Sequence, residues 1–305
     1  MISPAIYQIG ESILTAKTAM ALLTTSFSIG CSACAYFLLY RFLKTVKSQT
    51  PDKILPQADK KFTSHKRFKI EEYYEKQVSI LFMSGMTVYF VLAYLVFYRN
   101  LSDDQNSGFP TIDISKQHEV AQNSNIFLQP FLIFTNRPIQ FYELIICLAL
   151  GGYELFDLIW CYIYDGCDKV MYFHHVCTII LMHLCIMNGT GGVHFTTFIC
   201  ALYCSSNMPL YIRWYAKLYG NMKLDDQMTV AFVITFTLVR TIIGGSIHVL
   251  FITSGLIKEL KFHFKLVIWG GLMLNSVFQL QIFVALYEII KEKVGKKKKR
   301  HPSSE

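Results

Sequence analysis

GYELFDLIWCYIYDGCDKVMYFHHVCTIILM, residues 152–182, is the stretch whose reading decides the fold. Two strongly apolar runs are joined by the brief polar connection Asp165-Gly166-Cys167-Asp168-Lys169. A connection that short makes the flanking helices antiparallel neighbours. Glu154, Asp157, His174 and His175 sit inside the apolar runs. Ionisable side chains within lipid-buried helices are rare, and each one marks a functional-site hypothesis by default.

The rest of the chain reads as a scaffold for this hairpin. Of its 305 residues, 53% are hydrophobic and 16% are charged, where a soluble domain carries about a quarter charged residues. The fold class is therefore all-α, a polytopic transmembrane helical bundle, and no long alternating stretches point to a membrane barrel. Helical spans of roughly 20 residues read at 20–43, 78–98, 138–164, 170–187, 193–215, 228–253 and 266–290. That gives about seven spans, with six or eight if the fifth span or the short apolar run 127–134 reads differently. Pro138 is well placed to start the third span, and Pro209 interrupts the fifth. The first apolar run is too long and lies too far in to be a cleaved signal.

Three units follow: residues 1–69, a first transmembrane helix and basic linker; 70–290, the main membrane domain; and 291–305, a basic tail that composition reads as disordered. A surface helix is expected near 68–76. The net charge is +8, with ten Lys/Arg in 41–76 and seven in 291–300. Beside membrane helices such clusters mark the cytoplasmic face, and no nucleic-acid-binding motif accompanies them. With seven spans and the first basic loop inside, the inner segments hold 21 Lys/Arg and the outer ones seven. This favours an outer N-terminus and a cytoplasmic C-terminus. The mildly acidic segment 100–125, with the sequon Asn100-Leu101-Ser102, then lies on the lumenal side. Cys31 and Cys34 form C-x-x-C inside a span without a second pair, which reads as packing and not as zinc.

Depth follows from the helical rise of about 1.5 Å per residue, which sets Asp157 roughly 10 Å and the two histidines roughly 8 Å below the cytoplasmic surface. Asp157, His174 and His175 thus share a level on neighbouring helices, and Ser205 and Asn207 lie somewhat deeper in the fifth span. Histidine is suited to proton transfer near neutral pH, and a carboxylate on one ring nitrogen fixes the tautomer of the other. Pro209 lacks an N–H and frees the carbonyl of Ser205. Glu154 shares a face with Asp157 and is either a second site carboxylate or a partner for the mid-span Arg240. Asn275 and Gln279 either line the site or join helices. Glu143 reads as structural, and His183 and His194 as interfacial. Adjacent histidines on one helix point about 100° apart, so the pair does not read as a metal site.

Gly152-Tyr153-Glu154-Leu155-Phe156-Asp157, followed by Phe173-His174-His175-Val176-Cys177-Thr178-Ile179-Ile180, resembles the TLC domain, the membrane family that includes ceramide synthases and smaller lipid-homeostasis and trafficking proteins. The resemblance implies a six-helix bundle around a lipid-accessible cavity in an endoplasmic-reticulum-type membrane. For a ceramide synthase it also implies transfer of an acyl chain from acyl-CoA to a long-chain base, with the family's paired histidines at His174 and His175. The synthase pattern H-D-x-x-D places acids where this chain has Cys204 and Asn207. Asn207-Met208-Pro209 with Arg213-Trp214 looks more like the non-synthase members, although their usual upstream Glu would fall at Ser205. The elongase box H-x-x-H-H is incomplete here, since its first position is Met171.

Three functions compete on these grounds. The first is lipid homeostasis through binding, presenting or transferring lipid. The second is a ceramide-synthase-like acyltransferase with His174, His175 and Asp157 as catalytic groups. The third is a trafficking or translocation helper. Glu154, Ser205, Asn207, Arg240, Asn275 and Gln279 are the candidate polar lining. The partners expected are membrane lipids, acyl-CoA as a co-substrate in the second case, and a second copy of the chain; no cofactor and no nucleic acid is expected.

Overall fold

The computed structural model describes residues 4–46, 70–103, 141–164, 169–188, 192–253 and 262–300, and among them the backbone is helical apart from tight turns. The helices are α1 (Pro4–Val46), α2 (Ile70–Asp103), α3 (Phe141–Tyr164), α4 (Lys169–Asn188), α5 (Gly192–Ser205), α6 (Met208–Leu218), α7 (Met222–Phe236), α8 (Gly245–Thr253) and α9 (Phe262–Arg300), with a π-helical stretch Thr237–Gly244 joining α7 to α8. Within them, Thr18–Val46, Glu71–Ala93, Phe141–Tyr164, Lys169–Met187 and Met222–Leu250 are long and apolar enough to cross a membrane. A further apolar stretch in α9, Ile268–Val284, is shorter. The chain is an integral, multi-pass membrane protein of helical-bundle class. Large apolar side chains such as Leu23, Phe27, Leu92, Phe173, Ile234 and Phe283 face outward. That pattern suits a bundle whose outer solvent is lipid.

The core lies between α1, α2 and α3. On α3, Cys147, Leu150, Tyr153, Glu154, Phe156, Trp160 and Cys161 are buried, at the three- and four-residue spacing that lines one side of a helix. Tyr153 stacks on Phe82 of α2 with centroids 4.0 Å apart, and Phe37 of α1 meets Phe156 edge-on at 4.8 Å. Gly152 lets α1 and α3 approach backbone to backbone. A Cβ there would stand 2.9 Å from the Ala33 nitrogen and 2.5 Å from Ser32 Cβ, the small-residue contact by which membrane helices pack.

The fifth span departs from expectation. The sequence suggests one helix interrupted at Pro209, but α5 stops at Ser205 and α6 begins at Met208, with Pro209 in its first turn. Ser206 N donates to Tyr203 O and Asn207 N to Cys204 O, at 3.2 and 3.0 Å. These tighter bonds end α5 before Pro209, which tolerates a helix start and not a helix middle. The polar loop expected at 216–227 is shorter than it reads. Gly220 turns the chain with φ 68°, and the Asn221 side chain accepts from Leu224 N at 3.1 Å, which caps α7. Arg213 Nε donates to Asp225 Oδ1 at 2.8 Å and clips α6 to α7.

Two further boundaries move. α2 starts at Ile70, so the surface helix near 68–76 is the opening of the second span, tied to α1 by Lys44–Glu71 at 3.3 Å. The α2 backbone stays helical through Asn100 to Asp103. The basic tail is helical to Arg300, as lysine and arginine propagate a helix already nucleated by an apolar span. The acidic segment beyond 103, the run 127–134, the linker 47–69, the connection 165–168 and residues 301–305 lie outside the described residues.

Candidate functional site

α3 and α4 pack as the short connection between them demands, and this brings Glu154 and Asp157 against His175. His175 Nδ1 lies 2.5 Å from Glu154 Oε2. A carboxylate only accepts, so the proton between them satisfies the imidazole donor and leaves Nε2 as the open nitrogen. His175 Nε2 stands 3.3 Å from Asp157 Oδ2. That is ion-pair distance, but the geometry is out of line for a hydrogen bond, and Nε2 has no hydrogen-bond partner among the described residues. His175 is 2% exposed and Glu154 7%; Asp157 is half-buried.

His174 occupies a different environment. Its ring meets Phe278 of α9 edge-on, with centroids 4.9 Å apart, and lies 5.5 Å from the His175 ring. Its Nδ1 is buried and unpaired among the described residues. The two adjacent histidines therefore divide: His175 is held between carboxylates, and His174 turns toward α9 with a nitrogen to spare.

Arg240, in the π-helical stretch, belongs to a second cluster. Its Nε donates to Ser206 Oγ at 3.3 Å, and its Nη2 donates to Tyr203 O at 3.3 Å and to Asn207 Oδ1 at 3.2 Å. The guanidinium also lies over the rings of Phe236, at 4.4 Å, and Tyr203, at 5.1 Å, a cation–π arrangement. The carbonyl that Arg240 reaches at the α5–α6 break is thus that of Tyr203, which also accepts from Ser206 N and Ser206 Oγ. Glu154 and Arg240 form no ion pair among the described residues; Glu154 belongs to His175. Asn275 Nδ2 donates to Arg240 O at 2.6 Å. Gln279 accepts from Thr241 Oγ1 at 2.7 Å and donates to Thr237 Oγ1 at 3.3 Å. Both side chains of α9 therefore join helices. Ser205 is not drawn into either cluster, since its hydroxyl donates to Leu202 O of its own helix at 2.6 Å. His183 bridges from α4 to Ser26 of α1 at 3.0 Å, while the His194 side chain lies outside the described residues.

Sequence reading missed a third polar group at the start of α2. Glu75 is 1% exposed. It receives the Ser79 hydroxyl at 2.5 Å and the Lys76 ammonium at 2.7 Å. Tyr153 OH donates to Ser79 Oγ at 2.8 Å, which ties this group to the α3 turn that carries Glu154 and Asp157. Lys76 also lies 5.8 Å from the Tyr211 ring centroid. Glu75 and Lys76 read as the edge of a basic linker, and only the i, i+4 spacing of Glu75 and Ser79 signalled a buried pair. Metal ligands are present as well: donor atoms of Asp157, Cys161 and His175 all lie within 4.8 Å of one another.

The model of the TLC domain matches residues 75–291, well over half of the chain, with the α3–α4 cluster, the Arg240 cluster and the Glu75–Lys76–Ser79 group inside it. The chain belongs to the TLC-domain family. No solved structure matches it. Within this TLC domain, the paired histidines sit on α4, opposite the α3 carboxylates. At the two positions where the synthase pattern has acids, the chain places a buried thiol, Cys204, and an amide, Asn207, bonded to Arg240.

Proposed function

We propose that this TLC-domain protein acts in membrane lipid homeostasis by binding a lipid at the α3–α4 hairpin and presenting or transferring it. The observation that carries the reading is the Glu154–His175–Asp157 cluster, with the unpaired His174 Nδ1 beside it. Intramembrane ionisable groups with unmet hydrogen-bonding capacity mark substrate paths. A lipid headgroup carries the donors and acceptors to meet that capacity, and its chains would remain in the apolar surround. The charge distribution supports a lumenal N-terminus and a cytoplasmic C-terminus, and the TLC family implies an endoplasmic-reticulum-type membrane; the same charge count supports the level assigned to the cluster.

A second reading, acyl transfer from acyl-CoA to a sphingoid base, is favoured by one feature: an unpaired imidazole beside a carboxylate-held one. His174 would take the amine proton as the new C–N bond forms and the thiolate of CoA departs. The absence of acids at Cys204 and Asn207 weighs against it.

One set of cells separates the two. Deleting the gene should change the lipid profile measured by mass spectrometry; the full chain should restore it, and His174→Ala should not. An unchanged profile after deletion, or full restoration by His174→Ala, would sink the lipid reading. CoA release by the purified wild type from acyl-CoA and sphingoid base, lost in His174→Ala, would instead establish the enzyme.

A further inference from the structure

We infer that the reduced chain binds a zinc ion between α3 and α4, through Asp157, Cys161 and His175. The site shares His175 and Asp157 with the cluster on which the lipid reading rests, but zinc binding requires no lipid, and zinc content and lipid profile are read separately.

The geometry is that of a metal site with its outer support in place. Asp157 and Cys161 are four residues apart on α3 and face the same way. His175 Nε2 is 3.3 Å from Asp157 Oδ2, and Cys161 Sγ is 4.0 Å from Asp157 Oδ1. Zinc bonds of about 2.0–2.3 Å at the tetrahedral angle hold ligand atoms roughly 3.3–3.6 Å apart, so small side-chain adjustments close the site. His175, 2% exposed, aims into this space the nitrogen that has no hydrogen-bond partner among the described residues. A zinc-bound histidine ordinarily donates its other N–H to a carboxylate; here that carboxylate is Glu154, at 2.5 Å from Nδ1. The objection to a metal on two adjacent histidines does not apply, because only His175 is used and the other ligands come from the facing helix.

Charge points the same way. Glu75, Glu154 and Asp157 bring three carboxylates together, against the single nearby ammonium of Lys76, bound to Glu75. With a neutral imidazole, and with Arg240 acting on Glu154 from further off, net negative charge remains around the site, which a divalent cation offsets. An aspartate, a thiolate and an imidazole form a set suited to zinc, with a fourth position left for water or a substrate oxygen.

Cys161 is disulfide-bonded in this structure, and a disulfide sulfur does not supply the thiolate that zinc requires. The site is therefore redox-gated. A dithiol reductant gives two electrons and two protons to the disulfide, yielding two thiols and its own cyclic disulfide. The Cys161 thiol then loses its proton to solvent as the S–Zn bond forms. Oxidation reverses this and releases the ion.

The test uses the full chain, purified in detergent with a histidine-free affinity tag and no chelator, reduced with dithiothreitol, desalted without oxygen to remove the dithiol, then incubated with Zn2+, desalted again and analysed by plasma mass spectrometry. Reduced wild type should hold about one zinc per chain, and Glu154→Gln should weaken the affinity by about 10- to 100-fold through the lost outer carboxylate. His174→Ala should keep the ion. Asp157→Asn, Cys161→Ser and protein oxidised with diamide should lose it. His175→Ala also removes the α3–α4 pair, so the gentler Cys161→Ser carries a second readout. With Co2+ in place of zinc, reduced wild type should show thiolate-to-cobalt charge-transfer absorption and Cys161→Ser should not. Zinc below about a tenth per chain in reduced wild type, or equal zinc in wild type and Asp157→Asn, overturns the site. Zinc retained after oxidation overturns the role of Cys161.

Discussion

The α3–α4 hairpin and the α5–α6 break each bury several polar side chains and solve the problem in opposite ways. At the break, one guanidinium is spread over a hydroxyl, an amide oxygen, a carbonyl and two aromatic faces. Its partners are neutral, and the groups around it are chiefly used up in joining helices. At the hairpin, His175 is pressed between two carboxylates, yet its Nε2 and the His174 Nδ1 remain unpaired among the described residues. Unmet polar groups at such depth are destabilising, so a fold that retains two of them beside carboxylates points to a ligand. The contrast teaches that polar density alone does not mark a functional site; unmet capacity beside carboxylates does. The break also keeps two unpaired atoms among the described residues, Tyr203 Oη and Asn275 Oδ1; the hairpin differs in that its unpaired His175 Nε2 faces a carboxylate at 3.3 Å.

The comparison breaks most readily at Glu154. Glu154→Ala leaves His175 with only the misaligned Asp157, and removing one partner of a buried ion pair destabilises by about 3–5 kcal/mol. We place this variant near the lower end, about 3 kcal/mol, because Asp157 still stands at 3.3 Å. Thermal unfolding in detergent should show it as the largest loss in the series, with Glu154→Gln clearly milder. Arg240→Met should follow, at about 1–3 kcal/mol, because it removes the charge together with its hydrogen bonds and orphans only neutral partners. An Arg240→Met loss exceeding that of Glu154→Ala would reverse the assignment of which cluster holds an obligatory charge.

Much of this was legible in the chain, for physical reasons that differ by element. The length of the apolar runs gave the membrane class, because lipid thickness leaves little freedom. The brevity of 165–169 set α3 against α4 and put Asp157 beside the paired histidines, while the choice of Glu154 between those histidines and Arg240 stayed open. The division between His174 and His175 was not legible, because it depends on which ring faces α9 and Phe278. The Glu75–Lys76–Ser79 group was hidden by composition, for charged residues at the mouth of a span look like ordinary boundary residues. The exact end of α5 was hidden too. Pro209 announces a break, but where the chain turns depends on the tighter bonds from Ser206 and Asn207 and on Arg240 taking the Tyr203 carbonyl.

Two smaller effects sharpen the contrast. Asn207→Asp sets a carboxylate where Arg240 Nη2 already reaches at 3.2 Å. It should raise stability in detergent by about 1 kcal/mol at most, because a buried pair must offset its own desolvation. If the synthase-like acid is the missing element, the same variant should gain CoA release from acyl-CoA and sphingoid base; a variant that stays inactive places the difference elsewhere.

The smallest effect is expected at Gln279. Its two contacts, from Thr241 at 2.7 Å and to Thr237 at 3.3 Å, link α9 to the π-helical stretch. Interhelical hydrogen bonds in a membrane average about 0.6 kcal/mol by double-mutant cycle, because the separated helices also find partners. A cycle of Gln279→Ala with Thr241→Val, read by unfolding in detergent, should therefore return a coupling of about that size. The shift in lipid profile or zinc content should be nil. A coupling several times larger, or any loss of either function, would mean that the two clusters form one site, with α9 as the element transmitting between them. The edge contact of Phe278, next to Gln279, on the His174 ring is the route by which such a link would run.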